Sequence, residues 1–238
     1  MVAVTSTSLP LQAVIKQNIS TQEMLNVDNR QLLALSWGDI WDILRRKKGK
    51  GGSRDGKDFL CMISPGKLKD PNGNRGNLVV WGTQPVFLWQ GEITGIEVRH
   101  IRSNKLIWSQ TLKPTTRSII YQGEPLQPGE AYIWLAILPD EQLPNRQSFR
   151  IMKAEKRDSI STDLKELESK PKAEDANSEE IILARVEYFA KQELWSDVLR
   201  ELYSVENPSP ELKEKIEQIQ GHDFCSIDKE EQILGFAP

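Results

Sequence analysis

The chain has 238 residues, with 38% hydrophobic and 27% charged, and a formal net charge of −3. That length holds one medium domain or two small ones, each able to bury a core, and the sequence favours two. The slightly acidic balance removes any overall electrostatic drive toward nucleic acid or an anionic membrane, so any basic partner site has to be local.

Residues 1–30 are polar, rich in Ser, Thr, Gln and Asn, and predict a flexible, loosely docked arm. Their opening, MVAVTSTSLPLQAVIKQ, lacks the basic n-region and apolar core of a signal peptide, and no run of about 18 apolar residues could span a bilayer. As given the chain reads as soluble. A removed leader would make it an exported protein of the periplasm or envelope. Residues 31–58 join an amphipathic helix to a basic, Gly-rich loop. Leu32, Leu35, Trp37, Ile40, Trp41 and Leu44 share one helical face, with Asp39 and Asp42 opposite. Arg45, Arg46, Lys47 and Lys48 place cations at the helix C-terminus, where the dipole favours them, and Gly49, Gly51 and Gly52 stop it.

From Phe59 the period changes to that of strands: Phe59–Ile63, Leu78–Trp81, Val86–Gln90, Ile96–Ile101, Leu106–Leu112, Ser118–Tyr121, Ala131–Leu138 and Ser148–Met152. Short strands at this density predict a β-sandwich over 59–153. Pro71-Asn72-Gly73, Ser103-Asn104 and Pro128-Gly129 supply the reversals between them, and Ser103-Asn104-Lys105 reads as a hairpin. Residues 154–178 are charged almost every other position, with Leu164 and Leu167 too little apolar surface to fold alone, and read as a linker holding at most a transient helix. Over 179–220 the pattern is helical again. IILARVEYFAKQ breaks near Glu193, LWSDVLRELYSV ends at Asn207-Pro208-Ser209-Pro210, and ELKEKIEQIQ is stopped by Gly221. Residues 221–238 form a tail of mixed signals.

Three resemblances follow from these segments. Counting back from Pro210, Leu202, Val198, Trp195 and Tyr188 fall on the patterned positions of one tetratricopeptide repeat, with Val198 larger than the usual Ala and Glu193 at the turn where Gly is usual. A single repeat cannot bury its own face, so it packs on the sandwich or on a partner. From about Gly51 onward, GGSRDGKDFLCMISPG, TQPVFLWQG, GEPLQPGEAYIWLAIL and RVEYFAKQELWSDVLREL resemble, in order, a cyanobacterial family catalogued as domain of unknown function 928. The resemblance implies a usually exported protein and transfers no activity. The segments around Trp89, Trp108 and PGEAYIW also resemble fibronectin type III domains, which implies the same sandwich.

Chemical motifs are sparse. Gly51 to Lys57 fits the opening of a phosphate-binding P-loop, but Asp58 stands where Ser or Thr would hold magnesium and the loop runs from helix to strand. Arg45, Arg46, Lys47, Lys48, Lys50, Arg54 and Lys57 could attract anions, yet no aromatics interleave with them to stack bases, so nucleic acid is not expected. Cys61, His100, His222 and Cys225 come from distant segments and make a poor zinc set, while Cys61 and Cys225 leave one optional disulfide. Neither histidine sits in a sequence motif pairing it with a nucleophile. Trp89, Trp134 and Trp108 read as core.

The expectation is therefore an α+β protein, an immunoglobulin-like β-sandwich followed by a C-terminal α-helical hairpin. It is expected to act as a non-enzymatic protein-interaction or scaffold module with no metal and no cofactor. The residues expected to meet a protein partner are Trp37, Trp41, Arg45, Arg46, Lys47, Lys48, Tyr188, Trp195 and Leu199. The runner-up is an exported, membrane-surface protein attached through Trp37, Trp41 and the basic loop, with an enzyme third.

Overall fold

Val86-Phe87-Leu88-Trp89 is an unbroken apolar run, which suits a strand covered on both faces better than one with a solvated side. In the computed structural model, which describes residues 36–46, 60–66, 78–139, 144–169 and 178–224, all four are buried. These residues belong to the second of the chain's two compact units, Leu35–Pro238. The N-terminal arm, most of the basic loop with Lys47 and Lys48, the Pro71-Asn72-Gly73 turn and Cys225 lie outside the described residues.

The element order is α1 (Trp37–Arg46), β1 (Cys61–Ser64), β2 (Val79–Val80), β3 (Val86–Gln90), β4 (Gly95–His100), β5 (Leu106–Thr111), β6 (Ser118–Ile120), β7 (Ala131–Ile137), β8 (Asn145–Ile151), α2 (Ala154–Ser169), α3 (Ser178–Lys191), α4 (Trp195–Tyr203) and α5 (Pro210–Gly221). The mixed content is that of an α+β protein. One sheet has the order β1-β3-β6 and the other β2-β8-β7-β4-β5. Among the described residues every pairing is antiparallel except β2 with β8.

Alternation along β3 divides its side chains between two cores. Phe87 and Trp89 join Val98, Tyr132, Trp134 and Phe149 of the other sheet in one cluster. Val86 and Leu88 join Cys61 and Ile63 of β1 in a second cluster, completed by the helices through Leu44, Phe189, Val198, Leu199 and Leu202. The helices are therefore a third layer over the small sheet. Trp108 is half-buried, stacked on Phe87 with ring centroids 6.1 Å apart. The indole of Trp134 donates to Pro65 O at 2.7 Å, so the one polar atom of that buried ring is satisfied.

Turn chemistry is as the sequence reads at two of the described turns. Asn104 takes φ 53° between β4 and β5, and Gly129 takes φ 82° before β7. Glu193 takes φ 57° between α3 and α4, the position where the repeat pattern carries Gly. Because glycine enters this region without a Cβ penalty, Glu193→Gly is expected to raise unfolding stability by about 1 kcal/mol, read in urea melts.

Two segments differ from their sequence expectation. Residues 154–178 read as a linker, yet Ala154–Ser169 is the helix α2, with Leu164 buried and Ile160 packed against the helical core. Its own apolar surface is small, as the sequence indicates; it folds because partners elsewhere complete it. Tyr188 donates to Asp163 at 2.6 Å, Arg185 pairs with Glu168 at 2.6 Å, and Arg157 donates to Trp81 O at 2.8 Å. The start of the tail is also core: Phe224 is fully buried and His222 packs edge-on against it.

Candidate docking groove

Ser36 precedes α1 and exchanges hydrogen bonds with Asp39. Ser36 N donates to Asp39 Oδ2 at 2.9 Å, and Asp39 N donates to Ser36 Oγ at 3.2 Å, a reciprocal cap. The Ser36 hydroxyl and amide hold the Asp39 carboxyl below its ordinary value. With its start fixed, α1 sends Ile40 and Leu44 into the core and leaves Trp37 and Trp41 half-buried.

The start of α5 is fixed to the start of α3. Ser209 caps α5 by accepting from Leu212 N at 3.1 Å, with Pro210 in the first turn. The same serine donates through N and Oγ to the two oxygens of Glu179, at 3.0 and 2.6 Å. These two bonds are the main cause of the lowered Glu179 pKa.

Among α1, α3 and α5 lies a groove of about 500 Å³. Its apolar floor is made by Trp37, Ile40, Leu183, Ala184 and Val186. Its rim carries Glu180, Glu187, Glu211 and Lys215. Lys215 Nζ sits 5.5 Å from the centroid of the Trp37 ring and pairs with Glu211 one turn earlier. Glu187 pairs with Lys191 at 2.7 Å. A ring face beside carboxylates above an apolar floor suits a ligand with both cationic and aliphatic parts.

Of the residues selected from sequence, Trp37 lines this groove. Trp41 meets the ring of His222 edge-on at 5.4 Å. Arg45 and Arg46 close α1, and Tyr188 bridges to α2 through Asp163; burial first, and then that bond, raise the tyrosine's pKa. Trp195 and Leu199 are 5% and 0% exposed and belong to the helical core, so they shape the scaffold and present no surface to a partner. Glu180, Leu183, Glu211 and Lys215 were not singled out in the sequence. Their apolar-plus-charged spacing is that of any amphipathic helix, and only the fold places α5 beside α1.

Three other polar arrangements stand out. Asp197, fully buried on α4, accepts from Trp81 N and Gly82 N, both at 2.8 Å. Burial pushes its carboxyl up to about 7, Glu201 adds to this, and the two amides and Arg200 oppose it. Buried Glu201 in turn takes Arg185 through two nitrogens at 2.8 and 3.0 Å, and Arg200 at 3.2 Å. The residues linking β2 to β3 are thus locked to α4; a Cβ on Gly82 would stand 3.2 Å from Asp197 Oδ1.

The second is a serine, histidine and carboxylate together. His100 Nδ1 lies 3.1 Å from Ser103 Oγ and Nε2 lies 3.0 Å from Glu130 Oε2. Sequence motifs gave no sign of this, since Glu130 reaches His100 only across the β4/β7 pairing. Ser103 N also donates to Nδ1 at 3.3 Å, and Ser103 Oγ accepts from Lys105 N at 3.4 Å. The hydroxyl and the ring are thereby engaged in closing the hairpin.

The third is Cys61, which is disulfide-bonded. It offers no thiolate to a metal, and His100 and His222 hold separate partners. Comparison of the chain with protein-family models, with curated proteins and with solved structures finds no match.

Proposed function

We propose that this chain is a non-enzymatic binding module that docks another protein through the groove among α1, α3 and α5. The observation that carries the reading is the union, in one concavity, of an apolar floor containing Trp37 with a charged rim. The finer fold reading, an immunoglobulin-like sandwich followed by a tetratricopeptide-like hairpin, belongs with this proposal. The two facing sheets and the packing of α3 on α4 support it, as does the glycine-like backbone at Glu193.

Deleting the helices is a poor test, because α4 shares its core with β1 and β3. Charge reversal at the rim leaves that core intact. Affinity purification of the tagged full chain is expected to retain a reproducible partner, and Glu180→Lys with Glu187→Lys is expected to lose it while lowering the unfolding midpoint by no more than the loss and reversal of the Glu187–Lys191 pair accounts for. Retention by the double variant would remove the groove from consideration.

A second reading, an exported envelope protein, is favoured by the Cys61 disulfide, since such bonds persist in oxidising compartments. The ordered motifs that resemble the domain of unknown function 928 family support the same compartment. Among the described residues no helix is long and apolar enough to cross a membrane. Finding Cys61 alkylatable in freshly lysed native cells would count against export.

A further inference from the structure

Resting on the groove as a docking surface, we infer that its occupant is a basic segment of a partner protein, and that a lysine or arginine of that segment replaces Lys215 over the Trp37 ring. The free chain already displays the cation site, filled by its own side chain. Lys215 Nζ lies 5.5 Å from the Trp37 centroid and pairs with Glu211. An indole face beside a carboxylate is what a desolvated ammonium or guanidinium seeks.

The Lys215 side chain is only 15% exposed, so an incoming cation has to exchange with it in place; its partner Glu211 is 77% exposed, and an i,i+4 pair open to water on one side adds little to hold the ammonium. Once Lys215 swings to solvent, its place over Trp37 is open to a cation whose stem runs along Leu183 and Ala184. Charge fixes the sign of the partner. Of the three carboxylates that line the groove, Glu187 pairs with Lys191 and Glu211 with Lys215, which leaves the exposed Glu180 as the excess negative charge at the rim, so an acidic segment is repelled and a basic one steered in.

The experiment uses the full chain and a labelled amphipathic peptide of about 15 residues, leucines on one face and lysines on the other, beside the same peptide with glutamine for lysine. Fluorescence anisotropy at low and high salt is the readout. The lysine peptide is expected to bind and the glutamine peptide to bind at least roughly tenfold more weakly, with salt narrowing the gap. Lys215→Met, which removes the internal competitor, is expected to tighten the lysine peptide roughly three- to tenfold; Glu211→Gln and Glu180→Gln are expected to loosen it.

Equal binding of both peptides would overturn the cation claim and leave the groove a docking site. Binding of neither, with the native partner still lost on rim reversal, would do the same. Binding of neither, with the partner kept on reversal, would sink the docking reading as well. A chain that sediments as a dimer, and as a monomer after Glu180→Lys, would make the occupant a second copy and overturn the inference.

Discussion

Asp197→Ala is expected to lower the free energy of unfolding by about 3–5 kcal/mol, enough to unfold a domain of ordinary stability. The fully buried carboxylate accepts from Trp81 N and Gly82 N, both at 2.8 Å, so alanine strands one buried and one partly buried amide at once. It also disturbs Glu201 and Arg200, which face the same space. Asp197→Asn keeps the shape and one acceptor, and its expected cost is about half.

The asparagine variant carries the pH test. The folded carboxyl sits near 7 and its ordinary value is 3.8, so between these limits the folded state holds a proton that the unfolded chain releases. The contribution of this group to stability therefore falls as pH rises through that window and levels off above about 7. Asp39, Glu130 and Glu179 act in the opposite sense, since each is held below its ordinary value and loses its contribution as pH falls. Their titration lies below 4.5, outside most of the Asp197 window. Urea melts at pH 5 and pH 7.5 are expected to show a pH-dependent loss in the native chain that Asp197→Asn removes. The same slope in both proteins would refute the assignment.

Reduction of the Cys61 disulfide is expected to cost about 2–5 kcal/mol, near the upper end of the range if the enclosed loop is long. The only other cysteine in the sequence is Cys225. The described neighbourhood agrees with that partner. Cys61 pairs with Gln90 in the β1/β3 ladder, and Gln90 Nε2 donates to His222 O at 2.6 Å, three residues before Cys225. Peptide mapping of unreduced protein is expected to recover the peptides of Cys61 and Cys225 joined. Urea melts with and without reductant are expected to separate, and melts that superimpose would show that the bond adds nothing. Reduction is the cleaner perturbation, because Cys61 is 1% exposed and replacing it also alters packing.

What sequence could show, and what it could not, follows from the range of each signal. The β3 run, the β4/β5 hairpin and the three C-terminal helices announce themselves within ten or fifteen residues, through apolar period and turn chemistry. The α2 helix does not, because its stabilising partners Trp81, Arg185 and Tyr188 lie far from it in the chain. Trp37 was legible as an aromatic on an amphipathic helix beside charge. The rest of the groove was not, since α1, α3 and α5 are separated in the chain and line one concavity only in the folded protein, where they share a core with β1 and β3. Trp195 invited the opposite error: the repeat pattern marks it, but the pattern encodes burial, and Leu199 on the same helix is buried with it.

The groove itself is tested most directly by photo-cross-linking in native extract, with a photoreactive residue placed at exposed Glu180 in one version of the full chain and at exposed Thr111, on the edge strand β5, in another. A protein adduct formed from position 180 and absent from position 111 is the expected result. Adducts from position 111 with none from position 180 would place the docking surface on the large sheet and contradict the groove.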